Sequence, residues 1–189
     1  MLHGAPDAVE RHVGDLGNVV TDASGVPTMV NILDNAVTLE DNQDNTVLNR
    51  AIVVHAGEDD LGLGGDAGSE STGNAGGRVA CGIINSGDIA TNIVTGIQNC
   101  ITQIIFLNLP PVGDREIVAR VSLVQANESG VSGHLLLAQA AAGDPVDVVG
   151  PVEGLSVGLH GFHVHMNGQL TSECADAGGH FNPFGVSDL

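Results

Sequence analysis

The sequence has no tryptophan and no tyrosine, only four phenylalanines, and five basic side chains against 23 acidic ones. A formal charge of −18 repels nucleic acid and anionic membrane surfaces, so neither is an expected partner, and the charge reads first as a source of solubility. Long apolar runs are also missing. A membrane span needs about 18 apolar residues, and the best candidate, 93–109, is broken by Thr95, Gln98, Asn99, Thr102, Gln103 and Asn108. The opening MLHGAPDA carries neither a basic stretch nor an apolar core, so no signal peptide is read there. Three cysteines allow one disulfide and one spare thiol. The compartment stays open between cytoplasm and exterior.

What is present is glycine, at 27 residues, and an apolar fraction led by Val, Ile, Leu and Ala. Short β-branched strands joined by glycine turns follow, and the expected class is all-β. At 189 residues the chain suits a single domain, 1–189. Residues 1–18 read as a loop, and from about Val19 to His55 apolar runs such as VTL and AIVVH alternate with turn clusters. Residues 56–77 turn to Gly, Asp, Ser and Asn and read as a long surface loop, of the kind that usually carries function, before the short strand RVACGII. Residues 85–115 read as a linker, in which Ile93, Ile97, Ile101 and Ile104 share one helical stripe before Pro110–Pro111. From Glu116, EIVARVSLVQ and GHLLLAQ resume strand character and lead through GDP into a histidine-rich stretch. His134, in GHLLLA, reads as an ordinary strand residue.

That stretch, GLHGFHVHMNG at 158–168, holds three of the chain's eight histidines. On a strand, His163 and His165 point to one face and His160, an odd step away, to the other. Two imidazoles on one face form a metal-binding edge suited to copper or zinc. Taken alone, the pair reads equally as a merely polar face. His160 reads as a hydrogen-bonding residue that steadies a neighbouring loop. Candidate partners lie elsewhere: His180 in CADAGGHFNP, His3, His12 and Asp15 in HGAPDAVERHVGD, and His55 at the end of AIVVH. His12 and Asp15 in a glycine-rich loop make a corner for tetrahedral zinc, with a solvated loop as the plain alternative.

GLHGFHVH, CADAGGHFNP, HGAPDAVERHVGDLGN, IVVHAGEDDLGLGG and TGNAGGRVACGII together resemble the motifs of the copper/zinc superoxide dismutase family, over about residues 2–84 and 116–184. The order departs. In the family GFHVH and HFNP come first, whereas here the second half (1–84) precedes the first half (116–189), like a circular permutant opened inside the zinc loop between His180 and His3. The resemblance implies a Greek-key β-sandwich, or flattened eight-stranded barrel, and superoxide as substrate. It implies copper at His163, His165, His55 and His180, zinc at His3, His12, Asp15 and His180, and hence His180 as the bridge and a catalytic residue. Asp59 then links the two sites, Cys81 and Cys174 form the disulfide, and Arg78 stands at the channel mouth as a second catalytic residue. Glu70 and Ser71 precede TGNAG where the family often has a lysine, which implies weaker electrostatic guidance.

The resemblance leaves two readings of activity, a superoxide dismutase or a non-catalytic copper/zinc-binding module of the same fold. It also leaves open whether the halves close within one chain, pair between chains as a strand-swapped oligomer, or are one register of a tandem superoxide dismutase repeat, and whether a homodimer forms. Cys100 has no counterpart in the family pattern and reads as a spare thiol.

Overall fold

A computed structural model describes residues 2–87 and 117–185 of the protein. They form nine strands: β1 Asp15–Thr21, β2 Thr28–Asp34, β3 Ala51–His55, β4 Arg78–Ile83, β5 Asn85–Gly87, β6 Ile117–Gln125, β7 Ser132–Gln139, β8 Val146–Glu153 and β9 Gly158–His165. Hydrophobic patterning shows why each takes its place. In β2 the residues alternate, with Val30 and Asp34 inward and Met29, Asn31 and Leu33 outward, as a strand with one face in water requires. β3, AIVVH, is buried along its whole length because a strand lies on each side of it, Ile52 and Val54 face the barrel core, and Ala51 and Val53 pack with Cys174 and Ala177 of the loop after β9.

The pairing order is β1-β9-β3-β4-β6-β7-β8-β2, with β5 added beside β6, and every named pairing is antiparallel. The two ends of that order, β1 and β2, follow each other in the chain, and the Oγ1 atoms of Thr21 and Thr28 hydrogen-bond at 2.6 Å across the gap. The result is a nearly closed eight-stranded barrel, the expected class. Strands from the two halves interleave in a single chain: β9 lies between β1 and β3, β4 pairs with β6, and β2 pairs with β8.

The barrel interior is one apolar cluster in which Phe162, Ile52, Val54, Leu137 and Val148 are closed to solvent. Cys81 on β4 is disulfide-bonded to Cys174, 93 residues away, which ties the loop after β9 to the barrel. In the chain-entropy picture, closing a loop of that length is worth about 4–5 kcal/mol.

Several boundaries differ from the sequence reading. β1 starts at Asp15, inside the stretch read as a loop. The stretch 56–77 contains a short helix, α1 (Ala67–Thr72), started by the Asp66 carboxylate accepting from Gly68 and Ser69 N–H and stopped at Gly73, whose φ is +64°. The linker read from 85 begins with a strand, since Asn85–Gly87 pairs with Val118–Arg120. The remainder of that linker, with its isoleucine stripe and Cys100, lies outside the described residues.

Phe162 sits at 0% exposure in the middle of β9, the strand that carries the histidines. Phe162→Ala is expected to cost roughly 3–5 kcal/mol. The midpoint of denaturant unfolding reads this directly, and a loss below about 1 kcal/mol contradicts the packing described.

Candidate metal centre

β9 sends His163 and His165 to the same side, both buried. β3 ends beside them at His55, since Ala51 pairs with His165 and Val53 with His163. His180 is set opposite His165 by an isolated bridge, and the adjoining backbone is stitched by Phe181 N–H to Val164 O at 2.8 Å and Val164 N–H to Gly14 O at 2.9 Å. Ligand atoms of His55, His163, His165 and His180 then lie within 4.8 Å of one another, as do those of His3, His12, Asp15 and His180. His180 belongs to both groups. The first half of the family pattern supplies three of the first four imidazoles and the second half supplies His55.

Which nitrogen each ring presents is set by its other nitrogen. His55 Nδ1–H donates to Gly76 O at 3.0 Å and His165 Nδ1–H to Gly178 O at 2.9 Å, which leaves both Nε2 atoms bare and 3.3 Å apart. A hydrogen bond between those two atoms would require one ring to be charged. Burial opposes that, holding His55 at about 4 and His165 at about 2, down from 6.5. The two lone pairs therefore face each other, an arrangement that a cation between them relieves. His163 gives Nε2–H to Asp59 Oδ2 at 2.8 Å and keeps Nδ1 buried without a partner among the described residues. His180 has Nδ1 2.8 Å from Asp15 Oδ1, and its Nε2 is buried and unpartnered. His3 gives Nε2–H to Asp59 Oδ1 at 2.6 Å; its Nδ1 is 3.0 Å from Asp15 Oδ1 but outside hydrogen-bonding geometry. These bare nitrogens are what imidazole ligands present to a metal.

Asp59 joins the two groups, with one oxygen on His163 and the other on His3. It is held in turn by Asn18, whose side chain accepts from Asp59 N–H and donates to Asp59 O, each at 2.8 Å. Gly73 makes room for it: a Cβ there would stand 1.8 Å from Asp59 Oδ1. Arg11 fixes the loop of His12 and Asp15, donating from Nη1 to the carbonyls of His12, Val13 and Asp15 and from Nη2 to Asp34 at 2.6 Å. Sequence reasoning missed Asn18 and Arg11. Their only signal was adjacency to the ligand motif in RHVGDLGN.

The remaining site candidates fall around the edge. Arg78 donates to the carbonyls of Cys174, Ala175 and Gly178, and Gly178 O is also the acceptor for His165. His160 lies on the far face of β9, where Nδ1 meets His55 O and Nε2 meets Ser156 O, both at 2.9 Å. His134 is exposed on β7, with Ser122 Oγ near its ring at 3.4 Å.

Against this geometry, the family model described as copper/zinc superoxide dismutase matches residues 1–84 and 131–188, well over half of the chain. The chain belongs to the copper/zinc superoxide dismutase family. It is 55% identical over 82 residues to "Superoxide dismutase [Cu-Zn]" of Yarrowia lipolytica, covering 43% of this chain and 51% of the relative. The same enzyme name in Kluyveromyces lactis is 54% identical, and "Superoxide dismutase [Cu-Zn] 1" of Debaryomyces hansenii is 56% identical, over the same shares. The chain thus spans about half the length of the curated relatives it matches. Membership implies copper and zinc, and the donor sets fit them: four imidazoles suit copper, and three imidazoles with a carboxylate suit tetrahedral zinc.

The protonation balance makes a prediction for metal-free protein. Burial lowers His55 to about 4 and His163 to about 3, so the unfolded chain, titrating at 6.5, takes up protons first as pH falls. Burial also opposes charge on His3, but the carboxylates of Asp15 and Asp59 close to its ring outweigh this and lift it to about 9. Its contribution is complete below 6.5, is lost only as pH rises through 9, and so stays constant on the acid side. Metal-free protein is expected to melt about 5–10 °C lower at the acid end of the 6.5-to-4 window. A melting temperature flat across it contradicts the buried neutral rings.

Proposed function

We propose that the protein is a superoxide dismutase, converting two superoxide anions and two protons into one dioxygen and one hydrogen peroxide. The observation that carries this reading is His180, shared by both donor groups, with Nε2 bare toward the copper-type set and Nδ1 turned to the zinc-type set. Copper at His55, His163, His165 and His180 supplies one-electron redox chemistry, and zinc at His3, His12, Asp15 and His180 supplies a fixed charge without it. The His180 ring holds a proton at Nε2 in one half of the cycle and delivers it to the departing peroxide in the other. Asp59 keeps the His163 and His3 rings oriented throughout, by accepting their Nε2–H groups.

The substrate is an anion and the chain carries a formal −18, so positive charge must be focused locally. Arg78 serves this purpose: its guanidinium is half-buried and locked by three carbonyls beside the His165 ring. Around it the field is weaker than in relatives with a lysine before TGNAG, because α1 presents Glu70 and Ser71 to solvent. We read the order of motifs as a circular permutation closed within one chain, supported by two matched segments whose strands form one barrel, β9 lying between β1 and β3 and β2 pairing with β8.

Titration of purified protein with copper and zinc, followed by assay of superoxide removal, tests the reading. One copper and one zinc per chain with turnover is the expected result, and His55→Ala is expected to lower kcat/KM at least about 100-fold while zinc content is retained. Full metal uptake without turnover would make this a non-catalytic module of the family.

A further inference from the structure

Arg50 belongs to neither donor group, yet its guanidinium bears on the backbone that carries two of the histidines. Nη1 donates to Met166 O and Nε to Thr46 O, each at 2.8 Å, and Cζ stands 3.5 Å from the centroid of the Phe181 ring. Met166 follows His165 and Phe181 follows His180, the two histidines that the isolated bridge sets opposite each other. Arg50 itself immediately precedes β3, which ends at His55. Three of the four imidazoles of the copper-type group thus stand on segments that meet at one side chain.

These contacts are of a kind that fixes position. Met166 is held through both of its backbone groups, its N–H on Gly179 O at 2.9 Å and its carbonyl on Arg50. Phe181 is held likewise, donating to Val164 O and accepting from Gly14 N–H, both at 2.8 Å, while its ring lies under the guanidinium. A guanidinium is planar and carries its N–H groups in that plane, so it can lie flat on a ring and still donate sideways to carbonyls; an ammonium cannot do both. The ordinary reason for a half-buried arginine is an ion pair. Among the described residues no carboxylate pairs with Arg50, although the sequence has 23 acidic side chains, so its charge is met by carbonyls and a ring face beside the ligands.

We propose that Arg50 is a positioning residue of the metal centre: its stack on Phe181 and its bond to Met166 set the separation of the His180 and His165 rings, so that their bare Nε2 atoms meet one copper ion. The inference rests on the copper-type donor group of the proposed function and not on turnover. Supports that lie outside the ligands themselves are commonly worth about 10–100-fold in metal affinity.

The test is the copper(II) affinity of the zinc-loaded full chain, measured in competition with a chelator at a temperature where every variant is folded, together with the electron paramagnetic resonance spectrum of the copper-loaded protein. Arg50→Lys keeps the charge but not the flat fork, and Phe181→Leu removes the ring. Each is expected to weaken copper binding on the order of 10-fold and to shift the copper hyperfine splitting. The double variant is expected to bind within about twofold of the weaker single one, because both changes break the same support. Val148→Ala opens a gap in the barrel core on β8, a strand paired only with β7 and β2. It is expected to lower the melting temperature and yet leave copper affinity within about twofold of the original chain. Arg50→Lys with unchanged affinity and spectrum overturns the proposal. So does Val148→Ala weakening copper binding as much as Arg50→Lys, since Arg50 would then act through stability alone. A chain that binds copper without turning superoxide over sinks the dismutase reading, and the comparison of affinities still decides this one.

Discussion

His55 and His165 turn bare Nε2 atoms toward each other at 3.3 Å, with His163 Nδ1 and His180 Nε2 buried nearby and also unpartnered. Grouping lone pairs away from water is unfavourable in a protein without a cation, and the fold expends its strongest polar contacts to maintain the arrangement. The Nδ1–H groups of His55 and His165 are committed to carbonyls, and the Nε2–H groups of His163 and His3 to the two oxygens of Asp59. Everything else in the structure can be ordered by how it keeps those rings in place.

The barrel does so first. β9 has β1 on one side and β3 on the other, so a strand from one half of the family pattern is gripped by two from the other half. Phe162 anchors that strand in the core between the residues facing the metal groups. The loops do so next. Arg11 gathers three carbonyls and Asp34 to hold the loop of His12 and Asp15, and the Cys81–Cys174 bond fixes the loop whose Gly178 carbonyl sets the His165 tautomer. Arg78 bonds to that same carbonyl, so the guanidinium proposed to attract the substrate and the imidazole proposed to hold copper share one support.

Much of this was legible before any coordinates. Alternation along GLHGFHVH separated His160 from His163 and His165, and strand geometry alone required it. The long motifs pointed to His3, His12, Asp15, His55 and His180, although two of them stand 165 residues apart. What stayed hidden has local causes. α1 is only six residues long, too short for helical periodicity, and depends on Asp66 and Gly73 at its ends. β8 is not singled out in the sequence; it contains Gly150 and Pro151, residue types that interrupt strand patterning, although the structure pairs them with Val30 and Met29 of β2. Arg11 acts through carbonyls and a carboxylate 23 residues away, a reach that carries no sequence signature.

The central claim is that imidazoles from both halves converge within one chain on two metals joined by His180. Crystals of metal-loaded protein, measured at the copper and zinc absorption edges, test it most directly. The account predicts a copper peak at Nε2 of His55, His165 and His180 and Nδ1 of His163, and a separate zinc peak among His3, His12, Asp15 and His180 of the same chain. A single shared peak, or a site completed by histidines of a second chain, would contradict it.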